Sequence, residues 1–540
     1  MKRDPTKLAE RAFDLLVIGA GINGACVARD AAMRGLAVAV IDRGDFVSST
    51  SFNSLRIVHG GLRYLQHLDF GRMRQSIRER SCWLRIAPGL VRCLPFMAPT
   101  IGRGMRSRAA FRAALRINDW VGFDRNRGLE GDRRIPSGRV ISRAEALERY
   151  PGRDADRITG GALWYDAQMI SSERLVVEVM RSAVDAGAVA VNYVAVESLV
   201  VAADRVTGAR VRDVLSGEAF EIGTRVVVNA AGPAVDSLVR EAAGIRRPNP
   251  VVRLSKAMNI LTRRIAGETA VGVPGRHCDP NAKIKHGARL LFVTPWRDLS
   301  LVGTTHAAYE GRPAEFRVSE TDVAEFVDEI NYAVPAARLT LHDVRFVYAG
   351  LLPMADPKPG DADVRLLLHH RVIDHRRQDA VGGLISLVGV KFTTARLAAE
   401  QVVDLAFAML GRPSPPCRTA DAPLTCCDEV KFYDGRGGRW DDSGTLKEEV
   451  RRAVGDEMAV KLSDVVFRRT DAGSRGHPGG EVLGGMGLAM AAELGWDAQR
   501  VDRELAEVEA VFGHWKGDSG YRIDSAERSK SERSRPVSQS

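Results

Sequence analysis

Six residues near the start constrain this chain more than any others. Gly19-Ala20-Gly21-Ile22-Asn23-Gly24 has the spacing GxGxxG and stands between two apolar runs. The run before it, 13–18 (FDLLVI), reads as a short strand of the kind buried on both faces of a parallel sheet. Residues 22–34 read as a helix with small residues facing inward, ended by Gly35. Residues 36–41 (LAVAVI) then read as a second strand that runs into Asp42. Strand, glycine turn, helix and strand together make one βαβ unit. Gly19 allows the tight turn, Gly21 lets a pyrophosphate approach the backbone, and Gly24 lets helix and sheet pack closely. The helix N-terminus offers amide donors and a partial positive charge to phosphates. Asp42 stands eighteen residues after Gly24, where a carboxylate can accept both ribose hydroxyls. A dinucleotide site built from Gly19, Gly21, Asn23, Gly24 and Asp42 is expected. A bare glycine turn is the competing reading, and the spacing does not separate FAD from NAD.

Composition narrows the class. The chain has 540 residues, 45% hydrophobic and 27% charged, which suits several globular domains with ample core. No apolar run approaches the length of a transmembrane helix, and residues 1–10 lack the apolar stretch of a secretory leader. Seven cysteines without paired spacing fit a reducing, cytoplasmic location, and no metal site is expected. The adjacent Cys426 and Cys427 read as plain core or surface residues. The net charge of +10 has an address. Residues 71–116 carry eleven arginines and one acid, Glu79, while the other 67 basic and 67 acidic residues balance. A generally basic, nucleic-acid-binding character is excluded, and one local basic segment remains.

Further along, 171–186 reads as an amphipathic helix capped by Ser171 or Ser172. Stretches 188–201, 206–214 and 218–222 suggest an antiparallel meander, and 225–229 another buried strand ending at Ala230-Ala231-Gly232-Pro233. Residues 251–306 alternate apolar and polar in short runs, as in an antiparallel sheet. Residues 384–388 read as a strand entering Gly389-Val390-Lys391, followed by a helix over 393–410 and a linker at 413–417. Residues 445–515 are helical in pattern, with 473–485 as a loop, and the last twenty residues are too polar to order.

A second set of strings carries a family resemblance. Ser48-Ser49-Thr50-Ser51 precedes Arg56-Ile57-Val58-His59-Gly60-Gly61-Leu62-Arg63-Tyr64-Leu65. Downstream stand Leu163-Trp164-Tyr165-Asp166, Val228-Asn229-Ala230-Ala231-Gly232-Pro233, Val293-Thr294-Pro295-Trp296, Gly303-Thr304-Thr305 and Lys391-Phe392-Thr393-Thr394-Ala395-Arg396. In these strings the chain resembles the FAD-dependent glycerol-3-phosphate dehydrogenases, within the D-amino-acid-oxidase-like flavoproteins. The resemblance runs over about residues 12–425 and fades beyond.

The resemblance implies an α/β fold: a Rossmann-like FAD-binding domain, an antiparallel-sheet substrate domain and a helical C-terminal domain. It assigns 12–100, 155–250 and 345–415 to the first, 101–154 and 251–344 to the second, and 416–520 to the third, with 521–540 a disordered tail. The implied cofactor is FAD. Thr50 and Ser51 would lie along its pyrophosphate and flavin, with His59, Gly60 and Gly61 beside the isoalloxazine. Ala231 and Gly232 would close the adenine side, and Gly389, Lys391, Phe392 and Thr393 would meet the pyrimidine end at a helix N-terminus. The implied reaction oxidises sn-glycerol 3-phosphate to dihydroxyacetone phosphate by hydride transfer, with electrons passed to quinone or another acceptor. Arg63, Lys256, Lys391 and His59 are the implied catalytic group, Arg63 facing an anionic substrate.

Four positions depart from the family pattern. Lys256-Ala257-Met258-Asn259 stands where the family reads K-G-S-H, so Asn259 replaces a pocket histidine and cannot take a proton. Gly350-Leu351-Leu352-Pro353 puts Leu352 where a phosphate-gripping arginine is expected, a loss of about 2–5 kcal/mol for an unchanged substrate. His306 replaces an aspartate and is either a base in a new place or an ordinary loop histidine. Val390 replaces a glycine. These changes keep open an FAD enzyme for another hydroxy acid, polyol or amine, or a non-catalytic flavin-binding paralogue.

The basic segment reads as a helix over 71–86, a break at Leu94-Pro95-Phe96-Met97, and a stretch 101–120. That stretch interleaves Arg103, Arg106, Arg108, Arg112 and Arg116 with Met105, Phe111, Leu115 and Trp120. Such a face suits the anionic inner surface of a membrane, with a simply solvated face as the alternative. A homo-oligomer is compatible with the sequence.

Overall fold

The computed structural model describes residues 1–278, 288–356, 364–424 and 444–515. Its strands, in chain order, are β1 (Phe13–Ile18), β2 (Val38–Ile41), β3 (Ile57–Val58), β4 (Val91–Ile101), β5 (Arg139–Ile141), β6 (Ile158–Met169), β7 (Val189–Val191), β8 (Val194–Ala202) and β9 (Arg205–Asp213). They continue with β10 (Ala219–Asn229), β11 (Arg253–Arg263), β12 (Ala270–Cys278), β13 (Ala288–Trp296), β14 (Leu299–Tyr309), β15 (Val344–Met354), β16 (Arg371–Asp374) and β17 (Leu384–Val388). The longer helices are α1 (Ile22–Met33), α2 (Phe70–Ile86), α3 (Arg108–Val121), α4 (Ser172–Asp185), α5 (Glu320–Ala333), α6 (Ala395–Leu410), α7 (Thr445–Asp456), α8 (Gly480–Leu494) and α9 (Ala498–Phe512).

The first sheet runs β16-β17-β10-β1-β2-β7, with β8 and β9 continuing from β10 as an antiparallel meander. β1 pairs in parallel with both β2 and β10, as a βαβ unit requires. Every residue of β2 and β17 is buried, which follows from cover on both faces. Leu15 and Val17 join a core with α1, α4 and α6, while Leu16 and Ile18 join a second core with Val206 and Val211 of the meander. α4 starts where its sequence says it should: the Ser171 hydroxyl accepts from the Arg174 amide at 3.1 Å.

The second sheet runs β15-β11-β14-β13-β12-β4-β6-β3, with β5 on β6. It is antiparallel except for the β4–β12 pair, and α5 packs on β12. Its membership differs from the expected domain boundaries. β3, β4 and β6 come from stretches assigned to the FAD-binding part, and so does β15. The expected break at 94–97 is the middle of β4, where Pro95 and Pro99 are accommodated in an eleven-residue strand. The expected strands at 218–222 and 225–229 are one strand, β10, whose first half pairs with β9 and whose second half pairs with β1.

The C-terminal helices α7, α8 and α9 pack on one another and are tied to the first sheet by buried ions. Asp45 accepts from Arg468 at 2.6 Å and from Arg469 at 2.7 Å, and Arg174 donates to Glu457 at 2.7 Å. The loop expected over 473–485 ends early, because α8 begins at Gly480. One of its glycines serves packing: a Cβ on Gly487 would lie 3.3 Å from Val501 of α9. Cys426, Cys427 and the tail 521–540 lie outside the described residues. Among the described residues no helix is long and apolar enough to cross a membrane.

Candidate active site

A cavity of about 770 Å³ opens at the C-terminal end of β1 and runs between the two sheets. Its first wall is the glycine turn. Gly19 has φ +100°, and a Cβ there would lie 2.6 Å from the Ala230 carbonyl oxygen, so only glycine fits between β1 and β10. A Cβ on Gly21 would lie 2.9 Å from the Ser51 hydroxyl, which itself accepts from the Ile22 amide at 3.0 Å. The Asp42 carboxylate lines the cavity and also holds the turn, accepting from the Ala20 amide at 2.7 Å and the Gly44 amide at 3.0 Å. Asn23 lines the cavity with a buried Oδ1 that has no hydrogen-bond partner among the described residues. Gly24 is not in the lining; it packs α1 against the turn.

The second wall joins strings far apart in sequence. A Cβ on Gly60 would lie 2.5 Å from Arg80 Nη1, so the backbone can pass close to that buried guanidinium. Arg80 donates to Asp166 Oδ1 at 2.6 Å, and the Gly60 amide donates to the same oxygen. Trp164 Nε1 donates to the other oxygen at 3.1 Å. The HGG and LWYD strings thus meet on one carboxylate. The His59 amide donates to the Thr393 hydroxyl at 3.2 Å, and Trp83 Nε1 donates to the Thr393 carbonyl at 3.2 Å. Gly60 and Thr393 therefore support the wall from behind, whereas Thr50, Ser51, His59, Gly61, Ala231, Gly232, Gly389, Lys391 and Phe392 line it.

One end of the cavity is cationic. Lys391 Nζ donates to the Tyr64 hydroxyl at 2.7 Å and to the Ser76 hydroxyl at 3.1 Å. The Arg72 guanidinium stacks 3.8 Å from the Tyr64 ring centroid, and the exposed Arg63 reaches the same wall. Burial, then Arg72, brings the Lys391 ammonium down to about 7. Burial, then the charges of Lys391, Arg72, Arg63 and Arg80, hold His59 well below its ordinary range, so it is neutral at pH 7. Tyr64, Ser76 and Arg72 were not expected here. Tyr64 lies in the HGGLRYL string, while Arg72 belongs to the basic segment.

The opposite wall is the second sheet. Ala257 and Asn259 of β11, Gly303, Thr304 and His306 of β14, and Gly350 and Leu352 of β15 line the cavity. Asn259 Oδ1 accepts from the Thr304 hydroxyl at 2.7 Å. Lys256 does not belong to this group. Strand alternation turns it away from Ala257 and Asn259, and its Nζ donates to Asp322 of α5 at 2.5 Å. Residues 194–197 at the start of β8 line the Asp42 end, a contribution without a sequence signature.

Comparison with known proteins fits this geometry. The profile of the FAD-dependent oxidoreductases matches residues 14–405, and that of the C-terminal domain of alpha-glycerophosphate oxidase matches 439–501. The glycerol-3-phosphate dehydrogenase of Synechocystis sp. is 32% identical, over 93% of this chain and 97% of its own. The chain belongs to the FAD-dependent glycerol-3-phosphate dehydrogenase family. The Mycobacterium leprae member is 30% identical over 92% of this chain and 88% of its own. In fold, the family member from Bacillus halodurans, solved with FAD, superposes with a TM-score of 0.70 at 23% identity, covering 96% of each chain. L-alpha-glycerophosphate oxidase of Mycoplasma pneumoniae gives 0.53 at 15% identity, covering 77% of this chain and 99% of its own.

The chain is an oxidoreductase and its cofactor is FAD. The cavity fits that group on its own evidence. The glycine cradle leaves room for a pyrophosphate at the start of α1, and the orphaned Asn23 Oδ1 offers an acceptor to a hydroxyl-rich ligand.

Proposed function

We propose that the chain oxidises sn-glycerol 3-phosphate at C2 to dihydroxyacetone phosphate. The observation that carries this is the convergence of Arg63, Arg72 and Lys391 on one end of the FAD cavity, beside the HGG turn. Guanidinium groups suit a phosphate, and the names of the relatives point to the same substrate. Bound FAD would supply the hydride acceptor. The chain would supply the rest. Arg63 and Arg72 hold the anionic tail and so fix the alcohol carbon. Lys391 and the 389–392 amides, one turn before α6, put positive charge at the pyrimidine end of the ring. His59, neutral and held through its backbone to Thr393, shapes the wall beside the ring. Gly19, Gly21, Asn23, Asp42, Thr50, Ser51, Ala231 and Gly232 hold the remainder of the cofactor. The first sheet and its helices are assigned to FAD binding and the second sheet to the substrate.

A second reading rests on Leu352, which lines the cavity where the family pattern leads one to expect an arginine. It favours another hydroxy acid, a polyol or an amine. Electrons are assigned to quinone. This is supported by a face where Leu68, Met105, Trp120 and Phe123 are all more than 60% exposed, alongside the exposed Arg103, Arg106, Arg108, Arg112 and Arg116. α2 and α3 adjoin there, and such a face suits the cytoplasmic surface of an anionic membrane. Anaerobic bleaching of the flavin tests the reading. Glycerol 3-phosphate is expected to bleach it promptly; bleaching only by other alcohols or amines refutes the substrate, and bleaching by none refutes turnover.

A further inference from the structure

We propose that His306 is the group that takes the substrate's hydroxyl proton in this chain, in place of an imidazole at position 259. The inference rests on the alcohol-oxidation reading above. β14 and β11 pair with Ala257 opposite His306, and β11 and β15 pair with Ala257 opposite Gly350. Side chains directly opposite one another share a face of the sheet. The rung across three strands is therefore histidine, alanine, glycine, and all three line the cavity. Ala257 puts only a methyl beside the imidazole, and Thr50 packs against Gly350, where a Cβ would lie 3.2 Å from its hydroxyl oxygen.

Its nitrogen is available. His306 Nδ1 is buried and has no hydrogen-bond partner among the described residues. A buried polar atom without a partner is costly, and a ligand hydroxyl would satisfy it. The neighbouring Asn259 cannot serve: its Oδ1 is committed to the Thr304 hydroxyl, and an amide takes no proton at neutral pH. His59 is badly placed for the same work. Lys391, Arg72, Arg63 and Arg80 surround it and oppose a further positive charge. Beside His306 the rung neighbours Ala257 and Gly350 are neutral, and Arg289 of β13 also lines the cavity. The balance is simple. The substrate O–H bond breaks as its proton passes to the imidazole. The C2–H bond breaks with its electron pair, for which bound oxidised FAD would be the hydride acceptor, and the alcohol becomes the ketone.

The FAD-loaded enzyme and its His306→Ala and His306→Asn variants are mixed anaerobically with glycerol 3-phosphate, after the flavin spectrum confirms loading. Both variants are expected to bleach at least about 100-fold more slowly than the parent, and added imidazole to restore part of the rate of His306→Ala. Parental bleaching by His306→Asn overturns the role, because asparagine keeps a polar contact but no proton acceptor. A parent that does not bleach overturns the substrate reading itself and the inference with it. A second readout needs no turnover and no variant. Carbethoxylation of His306 in the loaded parent, read by peptide mass spectrometry, is expected to fall sharply when glycerol 3-phosphate is present. Equal labelling with and without it overturns the proposal.

Discussion

Replacing Lys391 by methionine is expected to change stability in opposite directions at low and high pH. The ammonium sits against Tyr64, Ser76 and Arg72, and its pKa falls from 10.5 to about 7. At about 1.36 kcal/mol per unit this gap is roughly 5 kcal/mol for a fully dry site, and contact with cavity water reduces it to about 2–3 kcal/mol. Below pH 7 the group is charged in both the folded and the unfolded chain, and the folded chain carries the penalty. Between about 7 and 10.5 the unfolded chain keeps the proton that the folded chain has released, so parental stability rises with pH over that window. Methionine removes the penalty but also loses two hydrogen bonds, each about 1 kcal/mol. The variant should match or slightly exceed the parent at pH 6 and fall about 2 kcal/mol below it by pH 10. Urea midpoints at fixed FAD, read by intrinsic fluorescence at both pH values, measure the difference. Acetylation of Lys391, followed by mass spectrometry across pH, gives the titration directly, with a midpoint expected near 7. A pH-independent stability difference, or labelling with the midpoint of an ordinary exposed lysine, would refute the argument.

Three further outcomes follow from particular contacts. Asp45→Ala strands the buried Arg468 and Arg469, so it should cost about 3–5 kcal/mol and open residues 444–515 to proteolysis; an unchanged Tm and digestion pattern would contradict this. Leu352→Arg should lower KM for glycerol 3-phosphate at least about 10-fold if that wall meets the phosphate, and an unchanged KM says it does not. Changing Arg106, Arg108 and Arg112 to serine should weaken binding to vesicles rich in phosphatidylserine by about 1 kcal/mol per charge at low salt, with the loss shrinking as salt is added. Binding that stays the same would retire the membrane face.

What could be read in the sequence was what local chemistry dictates. The GxGxxG turn, the runs 13–18 and 384–388 and the Ser171 cap each specify a conformation within a few residues, and each is where it was expected. Sheet membership was not legible, because β3, β4, β6 and β15 join partners far away in the chain and nothing in their own residues names those partners. Lys256 shows the same limit at a single position. Its place in a family string made it a site residue, but one step along a strand reverses the face, and the ammonium meets Asp322 instead. The family strings mark Thr393 and Gly60 as contacts, whereas in the fold they brace the wall, a distinction that only the third dimension carries.

The arginine-rich stretch shows why charge counts along a chain mislead about surfaces. Its net charge of +10 suggested one basic face, yet its residues divide by partner. Arg80 is buried on Asp166, Arg74 pairs with Asp124 and Arg85 with Asp421, so these three neutralise acids elsewhere in the chain. Arg72 faces the cavity and stacks on Tyr64. What remains exposed around α3 is Arg103, Arg106, Arg108, Arg112 and Arg116, none of which makes an ion pair among the described residues. The divide follows helix geometry. On α2, Arg72, Ser76 and Glu79–Arg80 recur at spacings that turn one stripe toward the cavity and the first core. On α3, Leu115 is the buried residue, while Arg108 and Arg112, seven and three residues before it on the flank of the same face, and Arg116 stay exposed. One stretch therefore places a cation over Tyr64, braces the HGG turn through Arg80 and leaves a basic rim outside. Substitutions on α3 should spare the flavin site, whereas changes at Arg72 or Arg80 should not.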